Sequence, residues 1–236
     1  MLVAVLEGGR SLERQVSLKS GARVADALRR LGHRVASIDV GADLVQRLRD
    51  VAPDAAFVAL HGRDGEDGTV QELLEVLGIP YTGSRVSACV RAADKVLAKY
   101  AFTDAGIPTP PFVAFNETAF RTLGAGQVLP AVEAKLGFPL VVKPASQGSA
   151  LGIKFARTKG DVPPALLAAF SYDRKVLLER HIPGRDIAVS LLAGDDGAPE
   201  PLPVVEAVPE NDDFYDFEHR YEIGRTRFVC PAELEP

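Results

Sequence analysis

Cysteine is scarce in this chain of 236 residues, which has two, Cys89 and Cys230. They show no CxxC spacing and no histidine at metal-site distance, which excludes a disulfide scaffold or a zinc module and reads as reduced thiols of a cytoplasmic protein. No apolar run approaches the roughly 20 residues that span a bilayer. The stretch from Met1 to Leu6 is apolar but short, lacks a basic flank and runs into Glu7-Gly8-Gly9, so it reads as a strand and not as a signal peptide. A basic excess is also missing: 27 Lys and Arg stand against 32 Asp and Glu, a formal charge of −5. A general nucleic-acid binder needs the opposite balance to displace counterions from the phosphate backbone, so neither nucleic acid nor a membrane is expected as a partner. There is no internal repeat, no GxxxxGK[ST] phosphate loop and no GxGxxG fingerprint, which argues against a P-loop enzyme or a dehydrogenase.

What is present is ordinary globular composition, with enough apolar residues for one large core or two to three small ones. The pattern alternates at first. Leu2 to Leu6, His33 to Asp39 and Ala55 to Leu60 read as buried strands, separated by helical patterns at Val16 to Leu31, Leu44 to Val51 and Thr69 to Leu77. Strand–helix alternation implies parallel pairing with helices on both faces, a doubly wound α/β domain. A helix over Ala88 to Ala105 follows, closed by Gly106 and a run of prolines.

Beyond it the pattern changes to a smaller α+β unit: strands at Phe112 to Phe115, Leu140 to Lys143, through Phe155 and at Val176 to Glu179, with helices near Leu129 to Leu136 and Val162 to Phe170. Asp186 to Leu192 and Val204 to Val208 read as strands around a turn region, Asp195 to Pro203. From Pro209 to Pro236 the chain reads as polar, aromatic and irregular, long enough to be a functional loop. The expected division is residues 1–90, 91–180 and 181–236.

Three segments concentrate polar chemistry. Glu13 and Ser17 lie at a helix start, where acidic and hydroxyl residues also serve simply as caps. His61 to Gly68 packs a histidine, three acids and three glycines just after a strand, the place where ligands bind in open α/β sheets; a plain polar turn needs only one or two such residues. Lys143-Pro144 followed by Gly148 to Gly152 has the features of a phosphate-covering flap, a cation plus glycines that let backbone amides approach closely. A glycine-rich surface hairpin fits that segment equally well.

Together these segments resemble the D-alanine–D-alanine ligases of the ATP-grasp superfamily. Gly8 to Ser17 is similar to the family's GGxSxExxVS, His61 to Gly68 to HGxxGEDG, Tyr81 to Ser84 to YTGS, and Asp94-Lys95 with Lys99 to DKxxxK. Lys143 to Ala150 is similar to VKPxxxGSS and Phe214 to Tyr221 to FYDYxxKY. The resemblance implies a pre-ATP-grasp domain over residues 1–90, an ATP-grasp small lobe over 91–180 and the start of the large lobe over 181–236. It also implies ATP-dependent joining of two D-alanines through an acyl phosphate, for peptidoglycan precursor synthesis. Another carboxylate–amine ligase of the superfamily and a noncatalytic nucleotide- or partner-binding chain are the alternatives.

By the same resemblance, Glu13 binds the ammonium of the first D-alanine, oriented by Ser17, and His61 sits by its carboxylate. Lys99 and Lys143 hold ATP phosphates under the Gly148-Ser149 flap. Glu179, Arg180, Ile182 and Asp186 line the adenosine pocket, and Tyr215, Arg220 and Tyr221 belong to the closing loop. Glu13, Ser149 and Tyr221 form the catalytic set. Three positions depart from the family: Ala150 replaces a serine, Arg220 a lysine and Asp186 a glutamate. Losing the serine hydroxyl costs about 1 kcal/mol if water does not substitute. The Mg2+ or Mn2+ ligands are expected after Pro231-Ala232-Glu233-Leu234, so no metal ligand is expected within the chain, which reads as the N-terminal two thirds of such a ligase. A homodimer is implied.

Overall fold

The computed structural model describes residues 1–194, 197–210, 214–222 and 224–234. The chain divides into two compact units, Met1–Thr109 with Ala145–Gly148, and Pro110–Pro144 with Ser149–Pro236.

The first unit runs β1 (Leu2–Glu7), α1 (Arg14–Arg30), β2 (Arg34–Asp39), α2 (Leu44–Val51), β3 (Ala55–Val58), α3 (Thr69–Val76), α4 (Val86–Ala93) and α5 (Lys95–Asp104). Its strands form a parallel sheet ordered β2-β1-β3, extended by a parallel bridge from Ala56 to Tyr81. Period-two alternation decides what each face meets. Ala4 and Leu6 turn toward Leu44 and Leu48 of α2 and Val70 and Leu74 of α3, while Val5 turns toward Ala25 of α1. Helices therefore cover both faces, the doubly wound arrangement expected from the alternation of elements.

The single helix expected over Ala88 to Ala105 is two. Asp94 is extended (φ −92°, ψ 108°) and its side chain accepts from the N–H groups of Val96 and Leu97, so it starts α5 instead of continuing α4. An aspartate inside an apolar-periodic run is a start signal as well as an interior residue, and here the cap prevails. Asp94→Ala should cost about 1 kcal/mol of stability; thermal unfolding beside wild type checks it, and an unchanged midpoint would show the cap to be idle.

The second unit runs β4 (Phe112–Asn116), α6 (Glu117–Thr122), α7 (Leu129–Leu136), β5 (Leu140–Pro144), β6 (Lys154–Ala156), α8 (Val162–Phe170), β7 (Lys175–Arg180), β8 (Asp186–Ala188), β9 (Leu191–Ala193), β10 (Pro199–Pro201), β11 (Val205–Pro209), α9 (Phe217–Tyr221) and β12 (Thr226–Val229). An antiparallel sheet ordered β4-β7-β5-β6 packs one face on α7 and α8. Leu140, Val142, Val176 and Leu178 supply that face; Val132, Leu136, Leu166, Ala169 and Phe170 meet them from the helices. Val141, Lys143, Leu177 and Glu179 alternate onto the other face.

A second antiparallel sheet is ordered β12-β11-β8, and β9 pairs β10. Three expectations are corrected here. The strand expected over Asp186 to Leu192 is broken into β8 and β9. The turn region contains β10, with Asp195 and Asp196 outside the described residues. The irregular stretch from Pro209 onward contains α9 and β12; such short pieces show no periodicity, and tertiary pairing of β11 with β12 supplies what propensity lacks.

Candidate functional site

In the first unit, Glu13 stands just before α1, yet its side chain makes no cap hydrogen bond. It is nevertheless only 4% exposed. Glycine makes room for it: a Cβ at Gly62, where φ is +65°, would lie 2.1 Å from Glu13 Oε2, and one at Gly148 would lie 3.3 Å away. A side-chain cap hydrogen bond is therefore not what holds the Glu13 carboxylate. Gly148, expected at the phosphates, lies against the Glu13 carboxylate within this unit.

Ser17 is fully buried. Its hydroxyl accepts from the Gly8 N–H at 2.9 Å and donates to the Ala59 carbonyl at 2.8 Å. With its one proton committed to Ala59, it does not donate to Glu13; it ties the ends of β1 and β3 to α1 and so supports Glu13 through the backbone. His61 follows β3, its Nε2 3.0 Å from Ser20 Oγ and its Nδ1 3.6 Å from Glu66 Oε1. The Glu66 carboxylate holds the imidazole pKa above its ordinary value, burial opposes this, and Glu13 adds to the rise. A buried carboxylate and a histidine inclined to carry charge are the two poles a zwitterion requires.

Lys99 on α5 is 6% exposed, and its Nζ donates to Thr109 Oγ1 at 2.7 Å. Lys95 has a role that its place in the sequence motif left unassigned. Its Nζ donates to the Gln147 carbonyl at 2.5 Å and its backbone N–H to the Ala145 carbonyl at 2.9 Å, which fixes the entry to the glycine loop. Ser20 and Glu66 were likewise unassigned; the one signal for Ser20 was its place one turn beyond Ser17 on the same helix.

In the second unit, Lys143 and Glu179 form an ion pair between β5 and β7. Val141 pairs directly with Glu179 in the ladder, so Lys143 is its diagonal neighbour on the same face. Arg180 points the other way, its guanidinium Nε donating to the Leu136 carbonyl at 2.8 Å. Its backbone N–H donates to the carbonyl of Pro111, and Pro111 has no N–H to return, so the ladder leaves the Arg180 carbonyl open. Among the described residues the Ile182 N–H makes no hydrogen bond either. A carbonyl and an amide two residues apart at a strand end are the complement of a purine's amino edge. Phe155, opposite Val141 on β6, stacks edge-on with His181 at 5.3 Å and Phe214 at 5.0 Å. Asp186 is exposed on β8.

Ser149 and Ala150 both adopt left-handed backbone (φ +49° and +59°). Ser149 Oγ lies 2.6 Å from Tyr221 Oη. Gly152 (φ +73°) is required by close approach, since a Cβ there would lie 2.7 Å from both Pro144 Cγ and Tyr172 Cδ2. Asp216 caps α9, and the Arg220 guanidinium lies 4.1 Å over the Tyr215 ring, a stacking that a lysine ammonium reproduces less well. Among the described residues, no group of three or more His, Cys, Asp or Glu side chains is placed to hold a metal ion.

Family models described as D-ala D-ala ligase C-terminus and D-ala D-ala ligase N-terminus match residues 101–236 and 43–84. A D-alanine–D-alanine ligase of Moorella thermoacetica is 43% identical over 234 residues, covering 99% of this chain and 74% of the relative. That of Geobacter sulfurreducens is 43% identical over 232 residues, covering 98% and 69%. Among solved structures, the Bacillus anthracis D-alanine–D-alanine ligase superposes with a TM-score of 0.79 at 32% identity, covering all of this chain and 73% of that one. The same enzyme complexed with ATP gives 0.78, again at 32% identity, covering all of this chain and 72% of that one.

Proposed function

The chain belongs to the D-alanine–D-alanine ligase family, and from that premise we propose that it joins two D-alanines to D-alanyl-D-alanine at the expense of ATP, for peptidoglycan precursor synthesis. One observation carries the reading of the residues: a buried, uncapped Glu13 held between two glycines in the same unit as a histidine whose charged form is favoured. Glu13 receives the ammonium of the first D-alanine, and His61 faces its carboxylate.

In the second unit, the Arg180 carbonyl and the Ile182 N–H receive the adenine edge, Glu179 and Asp186 the ribose, and Lys143 the phosphates. Lys99 is the phosphate-binding lysine of the first unit. The carboxylate of the first D-alanine attacks the terminal phosphoryl group, ADP leaves, and the amine of the second D-alanine then attacks the acyl phosphate and expels phosphate. The developing negative charge needs donors already in place, which in the second unit Lys143 and the Ser149 hydroxyl supply. In the second unit, the hydrogen-bonded Ser149 and Tyr221 are the pair this reading assigns to excluding water from the reaction. Mg2+ or Mn2+ belongs to this proposal as the charge neutraliser of phosphoryl transfer. The described residues do not form a set that fits it, so none is assigned as its ligand and no step is derived through it. The three-way division at residues 90 and 180, a homodimer and a cytoplasmic location complete the reading; no described helix is long and apolar enough to cross a membrane.

The test is phosphate release and dipeptide formation by the protein given ATP, magnesium and D-alanine. D-alanine-dependent release with dipeptide supports the reading; release stimulated equally by unrelated amino acids, with no dipeptide, overturns it. A pH dependence follows from His61. Its folded pKa is raised, so its cation, and the D-alanine affinity that depends on it, is fully present below the ordinary histidine value and is lost as pH climbs through the raised one. D-alanine titrations across pH 6 to 9 should show that loss in wild type and a flat profile in His61→Gln; the same slope in both would remove His61 from the site.

A further inference from the structure

We propose that Arg14 and Asp39 are positioning residues for Glu13, a clamp that fixes the Gly8–Glu13 loop in the geometry that presents the carboxylate to D-alanine. The proposal rests on the reading of Glu13 as the ammonium-binding group. Gly8 and Gly9 both have φ +76°, and this double left-handed turn directs the polar groups of Gly9 outward. The Gly9 N–H donates to Asp39 Oδ1 at 3.3 Å, and the Gly9 carbonyl accepts from Arg14 Nη1 at 3.0 Å. Arg14 closes the ring by gripping Asp39 with both ends of its guanidinium, Nη1 to Oδ1 at 2.7 Å and Nη2 to Oδ2 at 2.5 Å. The Arg14 hydrogen bond holds the Asp39 carboxyl below its usual pKa.

Both ends of the clamp are anchored. Asp39 is the last residue of β2, in register with Glu7 of β1, and its carbonyl accepts from Arg47 at 3.0 Å. Arg14 is the residue after Glu13 and the first of α1. Gly8 permits the approach: a Cβ there would lie 2.2 Å from Asp39 Oδ1 and 2.7 Å from Arg14 Nη1. Because the Glu13 side chain makes no cap bond, its own helix does not aim it. Ser17 holds the inner end of the turn, at Gly8 and Ala59, and the Arg14–Asp39 pair holds the outer end, at Gly9. The pair is half-exposed. Such pairs contribute little to global stability, but a bidentate guanidinium–carboxylate contact is directional, so its effect is local order.

The experiment measures three quantities on wild type, Arg14→Lys, Arg14→Gln, Asp39→Asn and the Arg14→Gln/Asp39→Asn double variant: amide hydrogen exchange at Gly9, equilibrium binding of D-alanine and of ATP, and thermal unfolding. Arg14→Gln and Asp39→Asn should each speed Gly9 exchange roughly tenfold and weaken D-alanine binding by about the same factor. ATP affinity and melting temperature should stay put, the double variant should be no worse than either single one, and Arg14→Lys should fall between. Unchanged Gly9 exchange overturns the clamp. Faster exchange with unchanged D-alanine affinity overturns its positioning role, and a lowered melting temperature with parallel loss of both ligands replaces it with a general structural one. Failure of wild type itself to bind D-alanine is a distinct result: it overturns the reading of Glu13, and the proposal with it.

Discussion

Glu13→Gln should weaken D-alanine binding by about a hundredfold while leaving ATP affinity within about twofold. Glutamine keeps the size of the side chain and its fit against Gly62 and Gly148, so the loss isolates the charge. Removing one partner from a buried, hydrogen-bonded charge pair costs about 3 kcal/mol, which is roughly a hundredfold in affinity. Burial is what makes the figure large, since Glu13 is 4% exposed and water has little access to replace the lost carboxylate. Calorimetric titration of D-alanine and of ATP on both proteins measures it. Equal loss of the two ligands would mean that the substitution disturbs the fold, and retained D-alanine affinity would remove Glu13 from the site.

That prediction turns on a distinction the sequence could not make. Acidic residues favour helix starts for electrostatic reasons and ammonium sites for the same reasons, so residue type and position at Glu13 fit both. The missing cap bond together with the two glycine approaches is what favours the ammonium reading. The doubly wound unit was legible because its helices and strands are long enough for periodicity to repeat; the segments after Pro209 were not, because α9 and β12 are too short for a period and are held by pairing. Arg180 shows the reverse case. A strand's two-residue period already places its side chain on the face away from Glu179, and the structure gives its guanidinium Leu136 as partner, so the proposed adenine contact uses only its carbonyl. Arg14 and Asp39 are separated by a whole helix, and nothing local in either segment announces that they meet.

The Lys143–Glu179 pair yields the second large effect, and it separates binding from stability. With side chains 18% and 10% exposed, the pair is largely withdrawn from water, so Lys143→Ala takes its lysine partner from a poorly solvated Glu179. The cost should be about 2–3 kcal/mol of stability, below the full figure for a completely buried pair because some water reaches both groups. ATP affinity should fall at least tenfold in the same variant, through loss of the cation proposed for the phosphates. Lys143→Ala/Glu179→Gln discriminates the two causes, since glutamine removes the carboxylate charge and keeps an oxygen able to accept from a ribose hydroxyl. The double variant should recover most of the melting temperature and none of the ATP affinity. Recovery of both would mean that Lys143 serves only to neutralise Glu179, and the phosphate contact would have to be sought in another cation of the chain.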